Sequence, residues 1–152
     1  MIGCDIMDDM KNLDELMLRL NGNSQYLQSN DMKVTELRRG YARVEMVIDK
    51  QILNVHGFVH GGALFSLADT AAGAASFATG RDSVTLAGTI NYMKPGKGGK
   101  LIGIATEINA GRTTGVYEVF IYNDDETLLS RATFTMFFLD GNSYKAKESS
   151  DQ

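Results

Sequence analysis

One cysteine, two histidines and no surplus of positive charge narrow the reading of this 152-residue chain before any motif is considered. Cys4 has no second cysteine to pair with, so the fold does not depend on an internal disulfide and a reducing compartment is expected. It gives a catalytic cysteine poor support. Fifteen Lys and Arg against nineteen Asp and Glu leave a net charge of -4, which offers no positive field to a phosphate backbone or an anionic membrane. Nucleic acid is excluded as an expected partner, and an anionic ligand has to rely on local clusters of Lys and Arg. The first residues, Met1-Ile2-Gly3-Cys4-Asp5, lack the basic and apolar regions of a secretory signal, so the expected location is cytoplasmic. The stretch of lowest charge, residues 55–80, is rich in Gly, Ala, Ser and Thr and contains Asp69, which excludes a membrane span. No G-x-S-x-G surrounds Ser66, Ser76, Ser83 or Ser130, and Lys97-Gly98-Gly99-Lys100 lacks the first glycine and the hydroxyl residue of a phosphate loop. That segment reads as a hairpin turn. His56 and His60 stand four apart but in a glycine-rich loop, with no third ligand beyond Asp69, so no metal is expected.

What is present is ordinary globular composition, 43% hydrophobic and 22% charged, in a length that suits one domain over residues 1–152. Ile6, Met10, Leu13, Met17 and Leu20 recur every three or four residues, predicting an amphipathic helix that Asn21-Gly22 ends, within a helical extension over residues 1–30. Lys11 and Arg19 are its only basic groups, too few for a DNA-binding segment. After a polar loop the period changes to two: Val34 and Leu37, then Ala42, Val44, Met46 and Ile48, as two short strands broken at Gly40. Residues 61–79 are small or apolar nearly all round, a helix enclosed on every side with Asp69 as its one charge before Arg81. Four β-rich runs follow, 83–92, 100–108, 115–122 and 128–139, separated by short turn segments that predict a meander. Phe134, Phe137 and Phe138 suit the core or a subunit contact, and residues 141–152 form a polar tail. Helix, two strands, buried helix and four strands make an α+β fold, one antiparallel sheet around one helix; the order does not suit alternating βαβ units.

A lone carboxylate in an apolar helix has to be paired or shifted in pKa. Two readings of Asp69 stand: a structural hydrogen bond to a hydroxyl such as Thr70 or Thr85, or exposure at a subunit surface; and a chemical role. Asn54, His60, Gly61 and Gly62 lead into the same helix, whose first turn presents unpaired N–H groups and the positive end of the dipole. Glycines let a ligand approach those donors, and an oxygen gaining negative charge in acyl transfer is stabilised there. Gly61 and Asp69 are eight residues apart, about 12 Å along a helix, too far to share one carbonyl within one chain. Two such helices antiparallel across a two-fold axis bring each Asp69 to the other chain's Gly61. A dimer follows from the chemistry.

The string Asn54-Val55-His56-Gly57-Phe58-Val59-His60-Gly61-Gly62-Ala63-Leu64-Phe65-Ser66-Leu67-Ala68-Asp69 resembles the signature of hotdog-fold acyl-CoA thioesterases of the phenylacetate-pathway, PaaI-like, branch. The similarity continues through Ile90-Asn91-Tyr92-Met93-Lys94-Pro95 and Gly111-Arg112-Thr113-Thr114 and spans residues 33–139. The resemblance implies a hotdog fold, an antiparallel sheet wrapped around a long central helix, in a homodimer with a continuous sheet and a homotetramer of two dimers. It implies an acyl-CoA substrate, no separate cofactor, Asp69 as base or nucleophile and the Gly61 amide as oxyanion donor. Asn54 and His60 would place the carbonyl and water, and Thr85 stands where animal members carry a water-holding serine. Gly62, Lys94, Pro95, Lys97, Arg112, Thr113 and Thr114 are the expected substrate and CoA contacts, with Lys100 a further turn lysine. The charged residues among these read equally well as solvated turn residues. A non-catalytic acyl-CoA sensor on the same fold is the competing reading, and retention of the aspartate argues against it.

Overall fold

A computed structural model of the chain describes residues 2–139, with side chains from residue 12 onward. The expected tail over 141–152 lies outside the described residues, as do the side chains of Cys4, Ile6 and Met10. In chain order the elements are α1 (Ile2–Asn23), α2 (Gln25–Ser29), β1 (Met32–Arg38), β2 (Tyr41–Val47), α3 (Gly61–Phe77), β3 (Ser83–Tyr92), β4 (Lys100–Ala110), β5 (Thr114–Asn123) and β6 (Leu128–Phe138). One turn of 3-10 helix, Lys50–Ile52, precedes α3.

The strands form one antiparallel sheet in the order β1-β2-β4-β5-β6-β3. Period-two alternation sets which face is inside. Ala42, Val44 and Met46 of β2, Leu101 and Ala105 of β4, and Tyr117, Val119 and Ile121 of β5 are buried, while their sequence neighbours face outward. α3 lies on the inner face and touches every strand. Its small residues make the close approach possible: Ala68, Ala71, Ala72 and Ala75 are fully buried. On β4, a Cβ at Gly103 would sit 3.1 Å from Leu67 Cγ, so the helix rests almost on the strand's backbone. Complete burial of Leu67 alone is worth about 1.5–3 kcal/mol. No helix of the described residues is long and apolar enough to cross a membrane.

Several expectations are corrected. β3 does not neighbour β4; it pairs with β6 at the far edge, so only β4, β5 and β6 form a meander. Residues 93–99 are therefore a crossover rather than a hairpin turn. Leu129 O accepts from Met93 N–H and Lys94 N–H at 2.8 and 3.1 Å, and Asp124 Oδ2 accepts from Gly99 N–H at 3.1 Å, which lays the segment along the β5–β6 end of the sheet. The polar loop after α1 contains a second helix, α2, which starts because Ser24 Oγ accepts from Leu27 N–H. Asn21 does not merely end a helix: its carboxamide accepts from Val34 N–H and donates to Val34 O, both at 2.8 Å, tying the helical segment to β1. Within the single chain α3 is not covered all round, because Gly62, Ser66, Asp69 and Gly73 form a partly open stripe. The break at Gly40 is a turn with φ of 68°.

β3 leaves its regular register at a bulge between Thr85 and Ala87, and Gly88 beyond it lies under the buried Phe134 ring. A Cβ there would stand 2.4 Å from Phe134 Cε1, and that ring is held edge-on against Phe65 at 5.2 Å. Gly88→Ala is therefore expected to destabilise the protein by roughly 1–3 kcal/mol, read as a lower urea midpoint at unchanged m. Gly22→Ala, in open space on α1, should instead gain up to about 1 kcal/mol. Equal effects of the two substitutions would contradict this packing.

Candidate active site

The approach to α3 is a tight loop closed by the bridge between Leu53 and Val59. Asn54 Oδ1 accepts from His56 N–H at 2.9 Å and Phe58 N–H at 3.1 Å, and Gly57 turns at φ 78°. The Asn54 side-chain oxygen thus shapes the loop, and its amide NH2 has no partner among the described residues. Val59 N–H donates to Gly96 O at 2.9 Å, which anchors the loop to the crossover segment.

His60 is the N-cap of α3, with its Nδ1 accepting from Gly62 N–H at 2.8 Å. A Cβ at Gly62 would stand 3.0 Å from that nitrogen, so a larger residue there would press on the cap. His60 O accepts from Ala63 N–H at 2.9 Å and Leu64 N–H at 3.3 Å. Of the first-turn donors, Gly61 N–H is the one with no partner among the described residues. Tyr92 Oη donates to Gly61 O at 2.8 Å, and its ring lies so near that a Cβ on Gly61 would be 3.3 Å from Cζ. Burial raises the Tyr92 pKa, so the hydroxyl remains a donor at neutral pH. Sequence reasoning did not single out Tyr92, although it stands in the quoted string at residues 90–95.

Two turns along α3, Asp69 Oδ1 accepts from Thr85 Oγ1–H at 2.6 Å. Thr85 Oγ1 also lies 3.8 Å from Met136 Sδ. The hydroxyl partner that the bland reading of Asp69 offered is therefore present, at the position that the resemblance singled out. The carboxylate opens into a hollow of about 240 Å³ walled by Leu20, Leu27, Val34, Val84 and Met136. Gly61 belongs to a different groove, of about 390 Å³, lined with Asn54, Phe58, Tyr92, Lys94 and Pro95. One chain keeps the two groups in separate spaces.

The expected CoA contacts are also divided. Lys94 and Pro95 line the Gly61 groove, and Lys97 follows on the crossover segment. Arg112, Thr113 and Thr114 lie beyond the other end of β4, about 34 Å away by strand rise. There Arg112 O accepts from Arg81 and Thr113 O from Phe138 N–H. Lys100 Nζ donates to Glu45 Oε2 at 3.2 Å. Burial raises the Glu45 pKa, but hydrogen bonds from Arg43 and Lys100 outweigh it and hold the carboxyl below its ordinary value. Lys100 is thus engaged on the sheet. Among the described residues no group of three His, Cys, Asp or Glu is placed to hold a metal ion.

Residues 56–130 match the thioesterase superfamily. The acyl-coenzyme A thioesterase PaaI of Escherichia coli is 37% identical over 94 residues, covering 61% of this chain and 67% of the relative. The E. coli PaaI structure superposes with a TM-score of 0.78 at 30% identity, over 86% of this chain and 94% of that one. The smu.793 protein of Streptococcus mutans, solved bound to acetyl CoA, gives 0.67 at 38% identity over 70% and 87% of the two chains. A hypothetical thioesterase of Streptococcus pneumoniae, solved with coenzyme A, gives 0.68 at 37% identity over 70% and 87%. With the helix-wrapping sheet already described, these likenesses place the chain in the thioesterase superfamily, as a hotdog-fold thioester hydrolase of the PaaI-like branch.

Proposed function

We propose that the protein hydrolyses a small acyl- or aryl-CoA thioester to the free acid and CoA, at sites built from Asp69 of one subunit and the Gly61 amide of another. The observation that carries this reading is the accounting at the start of α3: one N–H is left without a partner, and the carboxylate lies two turns beyond it in a separate hollow. A two-fold axis between antiparallel helices joins the two halves. Further support comes from the S. pneumoniae relative, of which forms with an aspartate or a threonine replaced by alanine have been solved. Those two positions are sixteen apart, the spacing of Asp69 and Thr85.

In this mechanism Thr85 turns Asp69 and, through its oxygen lone pairs, helps seat a water beside it. Asp69 removes the water's proton as the oxygen attacks the thioester carbonyl, or attacks directly to form an anhydride that water then opens. The carbonyl electrons move onto oxygen, where the partner's Gly61 N–H and the dipole of its helix receive them. Collapse breaks the C–S bond. A thiolate with a pKa of about 8.5 leaves with little help from an acid, so one base and one donor suffice and no cofactor enters. Asn54 contributes its free amide NH2, and His60 fixes the helix start. Lys94 and Lys97 supply positive charge along the CoA path, joined across the axis by Arg112, Thr113 and Thr114 of a second subunit.

The dimer has an obvious seam. β3 has one unpaired edge, and Val84 and Leu86 on it are 50% and 61% exposed in the single chain. Pairing β3 with its copy makes the sheet continuous and brings the open stripes of the two α3 helices together. Half-exposed Ile102, Ile104, Phe120 and Tyr122 on the outer face supply a contact for a tetramer of two dimers.

Free-thiol release from a panel of acyl- and aryl-CoAs tests the activity, and Asp69→Ala is expected to lower kcat by about 10²–10⁴. Retention of the full rate removes Asp69 from the chemistry. The shared site has its own test, because Gly61→Pro deletes the N–H while proline suits the first helical position. Each variant alone should be nearly inactive. Re-associated from equal amounts, half of the dimers are mixed and each holds one complete site, so activity should return to about a quarter of the wild-type value. Failure to complement, with mixed dimers present by mass, refutes the two-subunit site.

A further inference from the structure

α1 and α2 lie outside the stretch that matches the superfamily, yet they reach the catalytic hollow. Leu20 from the last turns of α1 and Leu27 from α2 line it together with Val34 of β1, and Met136 of β6 lines it beside its cross-strand partner Thr85 and Asp69. Leu27, Val34 and Met136 are all less than 8% exposed, so this wall is packed from behind. It is also tied down twice. Asn21 joins the end of α1 to both backbone groups of Val34, and the Tyr26 hydroxyl shares a 2.7 Å hydrogen bond with Ser66 Oγ, one turn before Asp69 on α3.

Building on the hydrolase reading, we infer that this helical pair is the end wall of the acyl pocket, with Leu20 and Leu27 determining the length of acyl group accepted and the Tyr26–Ser66 bond acting as its latch. The direction follows from the thioester itself. With the carbonyl carbon at Asp69 and the CoA moiety running toward the lysine-bearing Gly61 groove of the partner, the acyl substituent extends the other way, into the hollow. The hollow suits it chemically: among the described residues Asp69 is the one charged group lining it, and Leu20, Leu27, Val34, Val84 and Met136 give it an apolar surface. Its size agrees with a small acyl group. An enclosed cavity of about 150 Å³ takes a benzene ring, and this hollow, open on one side in the single chain, offers about 240 Å³, room for a single aromatic ring or a medium acyl chain. Longer chains meet the two leucines.

Two opposite substitutions test the wall. Leu27→Ala deepens the pocket and Leu27→Phe shortens it, so the ratio of kcat/KM for decanoyl-CoA to that for butanoyl-CoA should rise at least ten-fold in the first and fall in the second. Tyr26→Phe keeps the ring and removes the latch, and should blur the chain-length cut-off. The same variants are scored by the affinity of S-alkyl-CoA thioethers from ethyl to dodecyl, which does not require turnover. If the wild-type protein binds these thioethers but hydrolyses no acyl-CoA, the activity assignment fails and the binding series still judges the wall. A change by one common factor across all chain lengths, in rate and in affinity, overturns the inference. Should Leu27→Ala unfold, the downward shift in Leu27→Phe decides alone.

Discussion

Three hydrogen bonds from a single strand fix the central helix lengthwise: the Ser83 hydroxyl with that of Ser76, Thr85 to the Asp69 carboxylate and Tyr92 to the Gly61 carbonyl. The proposed chemistry depends on this bracing. The buried face of α3 is mostly alanine, so Leu64 and Leu67 are the only large side chains among its buried residues that key it to the sheet. Polar contacts with a narrow distance range add to that keying. The strand that braces the helix is also the sheet's open edge, so the element that would join two subunits is the one that sets the position of both halves of the site.

The helix start shows how a short sequence resolves four competing donors. His60 accepts from Gly62 through its ring and from Ala63 and Leu64 through its carbonyl, which leaves the Gly61 amide. His60 is therefore explained as a cap before any contact with substrate is invoked. The same applies to Asn54, whose carbonyl oxygen organises the loop. The two glycines face different neighbours, Gly61 the Tyr92 ring and Gly62 the His60 imidazole. A motif that reads as one signature thus separates into distinct physical demands.

How much of this was legible depends on the range of the forces involved. β3, β4, β5 and β6 were readable to within two residues because alternation and turn residues are local signals. α3 was readable from its unbroken run of small and apolar residues. The strand order was not, because residues 93–99 have a composition that suits a hairpin and a crossover equally, and the choice is made by Leu129, Asn123 and Asp124, far along the chain. α2 escaped because five residues carry no period, only a serine cap. For Asp69 the residues left a structural and a chemical reading open, with Thr85 named in both. The structural bond to Thr85 is present, and in the proposed mechanism the same bond would aim the carboxylate.

The division of the proposed site between subunits is finally a matter of helix length. Eight residues of α-helix separate the donor from the carboxylate by about 12 Å, several times the reach of a single carbonyl. Shortening the interval to bring them together would place both groups on one or two turns, where the carboxylate itself would cap the free N–H groups and cancel the site. Keeping them apart protects each from the other. In the proposed dimer a second copy of the chain supplies the missing half without any new residue, and catalysis would be confined to that assembly.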